Sequence, residues 1–305
     1  MSVKVGIHPQ SPAGPVLLRS PAFAGLRHAL RNEVEWVYYG HGTQTPRQFA
    51  DGAIDVGLTG ATPPITIQSA GHEITYLAVG QPRPNSGAIV VPVDSRLRTL
   101  EELVGRRIGF ALGSWHTAFV ALTLDRIGRS YRDIVPVNFV DTQGRADPAM
   151  VDAWVARPEE IDDPSVRPLV RVGEIWSNRS VIFARGDVSK RAPETLARVV
   201  GALDAAGRWL GANPAEAAAL LEDGSPVGRD ALERGIRRQT TAEGLSSADA
   251  AFAAEQQHVA DVLAKAKVLQ PVRLADSVNE LSQVIWKRAQ AVGIEITRIR
   301  QAQPS

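Results

Sequence analysis

The chain has 305 residues, which is enough for two domains of ordinary size. Its hydrophobic content of 44% excludes broad disorder, and its net charge of +1 gives no reason to expect a nucleic acid or an anionic membrane as partner. The absence of cysteine excludes disulfides, cysteine nucleophiles and thiolate metal sites, and no run of about 18 apolar residues is present to span a membrane.

The first part of the chain alternates short apolar strands with helical segments. Strand periodicity begins at once, because Val3, Val5 and Ile7 alternate with Lys4 and Gly6. This alternation of strands and helices is typical of an α/β fold with largely parallel strands. The pattern predicts further strands over residues 35–39, 54–58 and 75–79, and helices over residues 16–30, 45–51 and 63–70.

The pattern starts afresh at Gly87, and the composition shifts to Ala-rich helices after Asp187. Two α/β halves followed by helices predict a first lobe that is discontinuous in sequence. The second half is expected to hold strands over residues 88–93, 107–111, 135–140, 170–176 and 181–184, with a helix over 114–127. The closing helices are predicted over residues 193–210, 214–221, 229–238, 247–264 and 276–291.

Two strand-end turns offer small side chains, hydroxyls and free backbone N–H groups. The first follows a predicted strand and precedes a Pro-Pro pair, which suits the first turn of a helix. A strand, a small polar turn and a helix N-terminus together make a natural anion pocket. The turns consist of Thr59, Gly60 and Ala61 in the first case, and of Gly113, Ser114, Trp115 and His116 in the second.

Four segments together carry a family resemblance. They read GAIDVGLTGATPPITIQSAG, ITYLAVGQPRP, TLEELVGRRIGFALGSWHTAFVALTLDRIG and RRQTTAEGLSSADAAFAAEQQHVADVLAKAKVLQPVRL. In this order and spacing they resemble the substrate-binding proteins of ABC importers for aliphatic sulfonates, taurine and nitrate. The resemblance covers most of the chain.

The resemblance implies a two-lobed, type II periplasmic-binding-protein fold with a ligand cleft between the lobes. Lobe one is expected over residues 1–86 and 187–305, and lobe two over residues 87–186. The implied ligand is a small organic acid, most simply an aliphatic or aryl sulfonate, and the implied partner is a membrane permease. We expect a monomer without a cofactor or metal.

Two alternatives for the start of the chain predict two different cellular locations. No signal peptide precedes the first predicted strand. A transporter component that begins at its mature end would be periplasmic or lipid-anchored outside the cell. A native start would instead predict a cytoplasmic protein.

The resemblance also implies which residues meet the ligand. Its acid head would contact hydroxyls and backbone N–H groups of both turns, although Thr59 and Ser114 could equally serve only as helix caps. Other candidates lie in the loop after the first strand, near the hinge and on the second lobe. They are Gln10, Ser11, Gln81, Arg83, Trp154 and Arg238.

An enzyme on the same fold is the alternative. The chain also resembles hydroxybiphenyl-sulfinate desulfinase, which carries Gly-Ser-Trp at the matching turn. That enzyme needs a cysteine where this chain has Ser11, and it has an arginine where this chain has Gly57. A serine without an activating base is a poor nucleophile, so a binding protein is the primary prediction.

Two further observations bound the function. The segment after Trp154 reads VARPEE, where many relatives carry a Trp-Asp-Pro-Tyr-like run. This segment is expected on the lobe-two wall of the cleft, so the difference leaves the identity of the ligand open. The chain has no GxGxxG after a strand, no P-loop, no HExxH and no GxSxG elbow. Its six histidines lack metal-ligand spacing, although His8 and His41 could meet near the cleft. No helix-turn-helix segment or basic stripe indicates a transcription factor.

Overall fold

The computed structural model describes residues 2–139, 149–223, 225, 228–238 and 244–301. Two five-stranded mixed sheets form the centres of two lobes, and helices pack on both. The α/β, two-lobed fold expected from the sequence is therefore confirmed. No helix in the described ranges is both long and apolar enough to cross a membrane.

The first sheet has the strand order β2-β1-β3-β10-β4. Its strands β1, β2 and β3 run parallel, so their carboxyl ends meet at one edge, while β10 is antiparallel to both of its neighbours. Strand β3 is buried along its whole length. The strands are β1 (Val3–Ile7), β2 (Val34–Tyr38), β3 (Val56–Thr59), β4 (Ile74–Val79) and β10 (Val181–Arg185).

The second sheet has the strand order β7-β6-β8-β5-β9. Strand β6 runs parallel to β7 and β8, whereas β5 is antiparallel to β8 and β9. The central strand β8 was not predicted, and the expected strand over residues 170–176 gives way after Arg171 to a short 3₁₀ turn. The strands are β5 (Ala88–Pro92), β6 (Arg107–Phe110), β7 (Val135–Asn138), β8 (Ala153–Ala156) and β9 (Val166–Arg171).

The second crossover between the lobes lies earlier than the sequence suggested. The expected boundary at residue 187 assigns residues 181–184 to lobe two, yet β10 pairs with β3 and β4 in the first sheet. The chain therefore returns to the first lobe between Arg171 and Val181. The first expected boundary, at residue 86, falls between β4 and β5.

Most helices follow the predicted segments, with one break, whereas the short helices over residues 158–161 and 186–191 were not predicted. The single helix expected over residues 16–30 is split, because Ser20 caps a short 3₁₀ turn that opens with Pro21. The helices are α1 (Ala13–Arg19), α2 (Ala24–Leu30), α3 (Thr45–Ala50), α4 (Thr62–Ser69), α5 (Trp115–Arg126), α6 (Pro158–Ile161), α7 (Gly186–Arg191), α8 (Pro193–Ala212), α9 (Pro214–Leu221), α10 (Arg229–Arg238), α11 (Ala250–Lys265) and α12 (Glu280–Gln301).

An apolar cluster joins the two lobes beside the strand ends. Ala61 and Ile65, at the start of α4, pack with Ala118 and Leu122 of α5, and α11 closes the cluster with Val259 and its neighbours. All of these side chains are buried. Because α5 begins directly after β6 and α4 directly after β3, this packing brings the ends of two strands from different sheets together.

A substitution at Gly57 in β3 tests how tightly the first lobe is packed. A Cβ atom added there would lie 2.5 Å from Cζ of Phe183, whose ring is fully buried. We expect Gly57→Ala to lower the free energy of unfolding by about 1–3 kcal/mol through overpacking. Gly25→Ala is the matched control, since nothing lies within 4 Å of its added Cβ. Equal denaturation midpoints for the two variants would contradict this packing.

Candidate functional site

A cavity of about 230 Å³ lies between the lobes. The loops after β1, β2 and β3 form one wall, and the turn after β6 and the residue after β8 form the facing wall. A ligand crevice beyond the carboxyl ends of strands is usual in open α/β folds. Nine of the predicted site residues line this cavity: Gln10, Ser11, Thr59, Gly60, Gln81, Arg83, Ser114, Trp115 and His116.

The first turn links β3 to α4 and touches the other lobe. The Thr59 hydroxyl is buried and donates to the Gly60 carbonyl at 2.7 Å. A Cβ atom added to Gly60 would lie 3.1 Å from Cβ of Trp115, so the two turns meet closely here. Gly60 therefore permits a backbone approach that a larger residue would obstruct.

The second turn links β6 to α5, and its serine is a helix cap. The Ser114 hydroxyl accepts from the His116 N–H at 3.1 Å and donates to the Ala111 carbonyl at 2.8 Å. Gly113 has a positive φ of 79°, which a tight turn of this kind requires. Ser114 thus both caps α5 and lines the cavity, so the two readings of this residue are compatible.

In the loop after β1, a histidine and a serine side chain both hydrogen-bond to the same backbone carbonyl. His8 Nε2 lies 2.7 Å from the Leu58 carbonyl oxygen, and the Ser11 hydroxyl donates to the same oxygen at 2.8 Å. The Gln10 side-chain oxygen accepts from the Gly42 N–H at 2.9 Å, which ties this loop to the one after β2. These bonds fix the floor of the cavity on the first lobe.

Two more histidine-bearing positions face each other across the cavity. His41 lies in the loop after β2, and His116 in the first turn of α5. In each ring Nδ1 lies within hydrogen-bond distance of a backbone N–H, that of Thr43 and that of Ala111 respectively, both at 3.2 Å. A backbone N–H can only donate, so Nδ1 is unprotonated in both rings.

Burial keeps these imidazoles neutral. It lowers the pKa of His8 to about 4 and that of His116 to about 3, and it also lowers the pKa of His41. The positive charge of Arg157 lowers the pKa of His41 and of His116 further. The cavity therefore contains uncharged imidazole donors at neutral pH.

The hinge contributes a second arginine. Arg83 Nε donates to the Asn178 carbonyl at 2.7 Å, and its Nη2 donates to Oδ1 of the same residue at 3.3 Å. Asn178 is fully buried and has a positive φ of 45°, and its side-chain amide donates to Ser86. Burial lowers the pKa of Arg83 to about 10, so the guanidinium stays charged at neutral pH.

The charges that face the cavity are predominantly positive. Arg83 and Arg157 both line it, and neither makes an ion pair with a carboxylate in the described ranges. The acidic side chain of the lining is that of Asp204, which accepts from Arg208 at 3.0 Å and from the Leu245 N–H at 2.6 Å. An anionic ligand would therefore meet two guanidinium groups that form no ion pair in the described ranges.

Four predicted site residues do not line the cavity. Trp154 is 7% exposed and packs in the core of the second lobe, and Ala61 packs in the apolar cluster between the lobes. The Gly113 N–H donates to the Thr117 hydroxyl at 2.9 Å. Arg238 forms an exposed ion pair with Asp162 and donates to the Pro158 carbonyl, so it bridges α10 and α6.

Sequence reasoning did not assign a ligand role to Arg157, His8 or His41. The signal for Arg157 is a basic residue directly after a strand, but its strand, β8, was not predicted. His8 and His41 follow β1 and β2 by one and three residues, and strand-end position alone would have identified them. No group of three or more metal-ligating side chains occurs in the described part of the chain.

Comparison with known proteins identifies the family. A profile described as NMT1/THI5 like matches residues 33–217, more than half of the chain. An aliphatic sulfonates-binding protein of Escherichia coli (strain K12) is 32% identical over 143 residues. That alignment covers 46% of this chain and 44% of the relative, so the matched region spans less than half of either protein.

Solved structures share the fold. The alkanesulfonate-binding protein SsuA of Xanthomonas axonopodis pv. citri, in a structure bound to MOPS, has a TM-score of 0.79 and 24% identity, covering 91% of this chain and 98% of that one. The desulfurization enzyme DSZB has a TM-score of 0.60 and 17% identity, covering 94% and 99%. At these identities the likeness concerns the fold, which is shared by a binding protein and an enzyme.

The low pKa of His116 makes stability depend on pH. An unfolded chain binds a proton at this histidine near its ordinary value of about 6.5, whereas the folded chain does so only near 3. The free energy of unfolding should therefore fall as the pH is lowered from about 6.5 towards 4. We expect His116→Gln, measured by urea denaturation across this range, to show a shallower pH dependence than the parent.

The exposed His258 provides the control for this measurement. His258→Gln should leave the pH dependence of unfolding unchanged. If His116→Gln and the parent lost stability in parallel as the pH fell, the buried neutral imidazole described above would be wrong.

Proposed function

The chain belongs to the NMT1/THI5-like family, and from that membership and the geometry of the cavity we propose that it is the substrate-binding protein of an ABC importer. Its ligand is a small organic acid, most simply an aliphatic or aryl sulfonate, held between lobes that close on it. The relative at 32% identity is named for binding aliphatic sulfonates, which supports this ligand class.

The positive charge of the cavity is the observation that carries the proposal. A sulfonate is fully ionised and has three acceptor oxygens, and it gains most from charged and neutral N–H donors in a partly desolvated site. Arg83 and Arg157 supply the charge, and the carboxylate of Asp204 is already paired. A cationic substrate would find no free carboxylate among the described lining residues.

The cavity also offers an apolar wall for the rest of the ligand. Trp115 stands on one side, and Val181 of β10 with Leu203 and Leu210 of α8 stands on the other. Such a wall suits an alkyl chain or an aromatic ring, while convergent polar groups fix the acid head. The proposed ligand-binding residues are Gln10, Ser11, Thr59, Gly60, Gln81, Ser114, Trp115 and His116.

The proposed role implies a membrane permease as partner and a place of action outside the inner membrane. An importer's binding protein delivers its ligand there, so we propose a periplasmic or lipid-anchored protein. We further propose that it acts as a monomer.

The enzyme alternative receives little support from the residues that would carry it. The Ser11 hydroxyl lies 3.5 Å from His8 Nε2, but that nitrogen carries the proton that it gives to the Leu58 carbonyl. A protonated nitrogen cannot accept the serine proton, so His8 does not activate Ser11 as a general base would. At Gly57 an arginine side chain would collide with the buried Phe183 ring.

A thermal-shift screen tests the proposed function directly. A ligand at about 100 times its dissociation constant adds about 2.7 kcal/mol to the free energy of unfolding and raises the Tm by roughly 5 °C. The screen should include taurine, alkyl- and arylsulfonates, sulfinates, nitrate and bicarbonate. We expect alkyl- or arylsulfonates to give the largest shift.

Alkylammonium salts of matched chain length are the control, and they should leave the Tm unchanged. The same measurement with the whole panel of anions can also give a clear negative result. If every anion left the Tm where the alkylammonium salts do, the binding role would have to be abandoned.

A sulfite assay separates the binding protein from the desulfinase alternative. With an aryl sulfinate as substrate, we expect sulfite release no faster than in buffer, because Ser11 lacks a base. Ser11→Ala is the matched variant and should behave identically. Sulfite release by the parent that disappears in Ser11→Ala would instead establish an enzyme with Ser11 as its nucleophile.

A further inference from the structure

We propose that the acid head of the ligand binds to three side chains from both lobes, His41, His116 and Arg157, here called the donor triad. The triad accepts a fully deprotonated oxyanion and discriminates against one that retains a proton. This inference rests on the proposed function and deepens it, since it names the residues and the protonation state that define the head group.

The first member, His116, presents one defined hydrogen atom to the cavity. Its Nδ1 accepts from the Ala111 N–H at 3.2 Å, so a neutral ring must carry its proton on Nε2. The residue is 8% exposed and lines the cavity. In the described part of the chain no side chain or backbone group is bonded to Nε2, which leaves that donor for a ligand.

His41, on the other lobe, has the same tautomer as His116. Its Nδ1 accepts from the Thr43 N–H at 3.2 Å and lies 2.9 Å from the Thr43 hydroxyl. The proton is again confined to Nε2, and within the described residues that nitrogen has no hydrogen-bond partner. Two rings on different lobes are therefore fixed in the same tautomer by their own backbones.

Arg157 supplies a positive charge near these rings. It directly follows β8, whose parallel neighbour β6 leads into the turn that bears His116, so the two residues lie at the same edge of the second sheet. The guanidinium lies close enough to lower the pKa of both imidazoles, after burial as the main cause. All three side chains line the one cavity.

The carboxylates near the triad are engaged by other donors of the protein. Glu160 accepts from the Arg157 backbone N–H at 2.8 Å, Asp204 is held by Arg208 and by a backbone N–H, and Asp162, which follows α6, is paired with Arg238. Protonation of either ring would add a hydrogen to Nδ1. That hydrogen would point at the backbone N–H from which Nδ1 now accepts a hydrogen bond. The rings therefore act as neutral donors, and the counter-charge must come from the ligand.

A site built of donors alone selects among oxyanions by their protons. A sulfonate has three oxygens that only accept, so it can be satisfied by two imidazole N–H groups and a guanidinium. An alkylphosphonate near pH 6 keeps one O–H, and that hydrogen would meet no acceptor within the triad. An unpaired buried donor is costly, so the phosphonate should bind more weakly.

The test is calorimetric titration with 1-butanesulfonate and 1-butylphosphonate at pH 6. We expect the parent to favour the sulfonate by at least about tenfold, as loss of a hydrogen bond to a charged group implies. Arg157→Gln should lower sulfonate affinity at least tenfold, with Arg157→Lys in between. Arg129→Gln, an exposed arginine of the same lobe, should bind like the parent.

Inorganic sulfate serves as a probe of the head site alone. In long-range ¹⁵N spectra of the imidazoles, His41 and His116 should appear as Nε2–H tautomers, and sulfate should shift both signals in the parent. The shifts should disappear in Arg157→Gln but persist in Arg129→Gln. Matching tautomer signals in the free variants would show that their folds are intact.

The outcomes separate the two proposals. If 1-butanesulfonate binds the parent and Arg157→Gln equally, the donor triad is wrong and the binding function stands. If no sulfonate binds but sulfate shifts both histidine signals, the triad stands and the sulfonate function falls. Equal affinity for phosphonate and sulfonate, or a protonated Nδ1 in either ring, would also overturn the triad.

Discussion

The packing of α5 against α4 and α11 is the interaction on which the site depends. Each of the two helices that begin at the cavity follows a strand of a different sheet, and within the described residues the two sheets share no strand. The buried apolar cluster around Ile65, Ala118 and Leu122 holds the helices side by side. Without it, the turns at Gly60 and Ser114 would belong to two separate surfaces.

The electrostatics of the cavity follow from backbone geometry more than from formal charge. Backbone N–H groups decide which nitrogen of His41 and His116 carries a proton, and burial keeps both rings uncharged. The net charge of the chain is only +1. A local excess of donors therefore arises in a nearly neutral protein, because the nearby carboxylates are engaged elsewhere.

Most of the fold could be predicted from the sequence, since strand alternation and helix periodicity are local signals. The position of the second crossover could not, because it depends on β10 pairing back to β3, and pairing is a long-range choice. The turns at Thr59 and Ser114 were found from their small polar residues. Arg157 was missed because its importance depends on β8, a four-residue strand buried in mid-sheet. Trp154, a candidate for ligand contact, packs in the core of the second lobe.

The close approach of Gly60 and Trp115 leaves no room for a side chain at position 60. The two residues belong to different lobes, and a single Cβ atom at position 60 would already come within 3.1 Å of the tryptophan. The absence of a side chain at position 60 therefore permits the two turns to approach this closely. A larger residue at this position would alter the approach of the two lobes without replacing any polar side chain of the cavity.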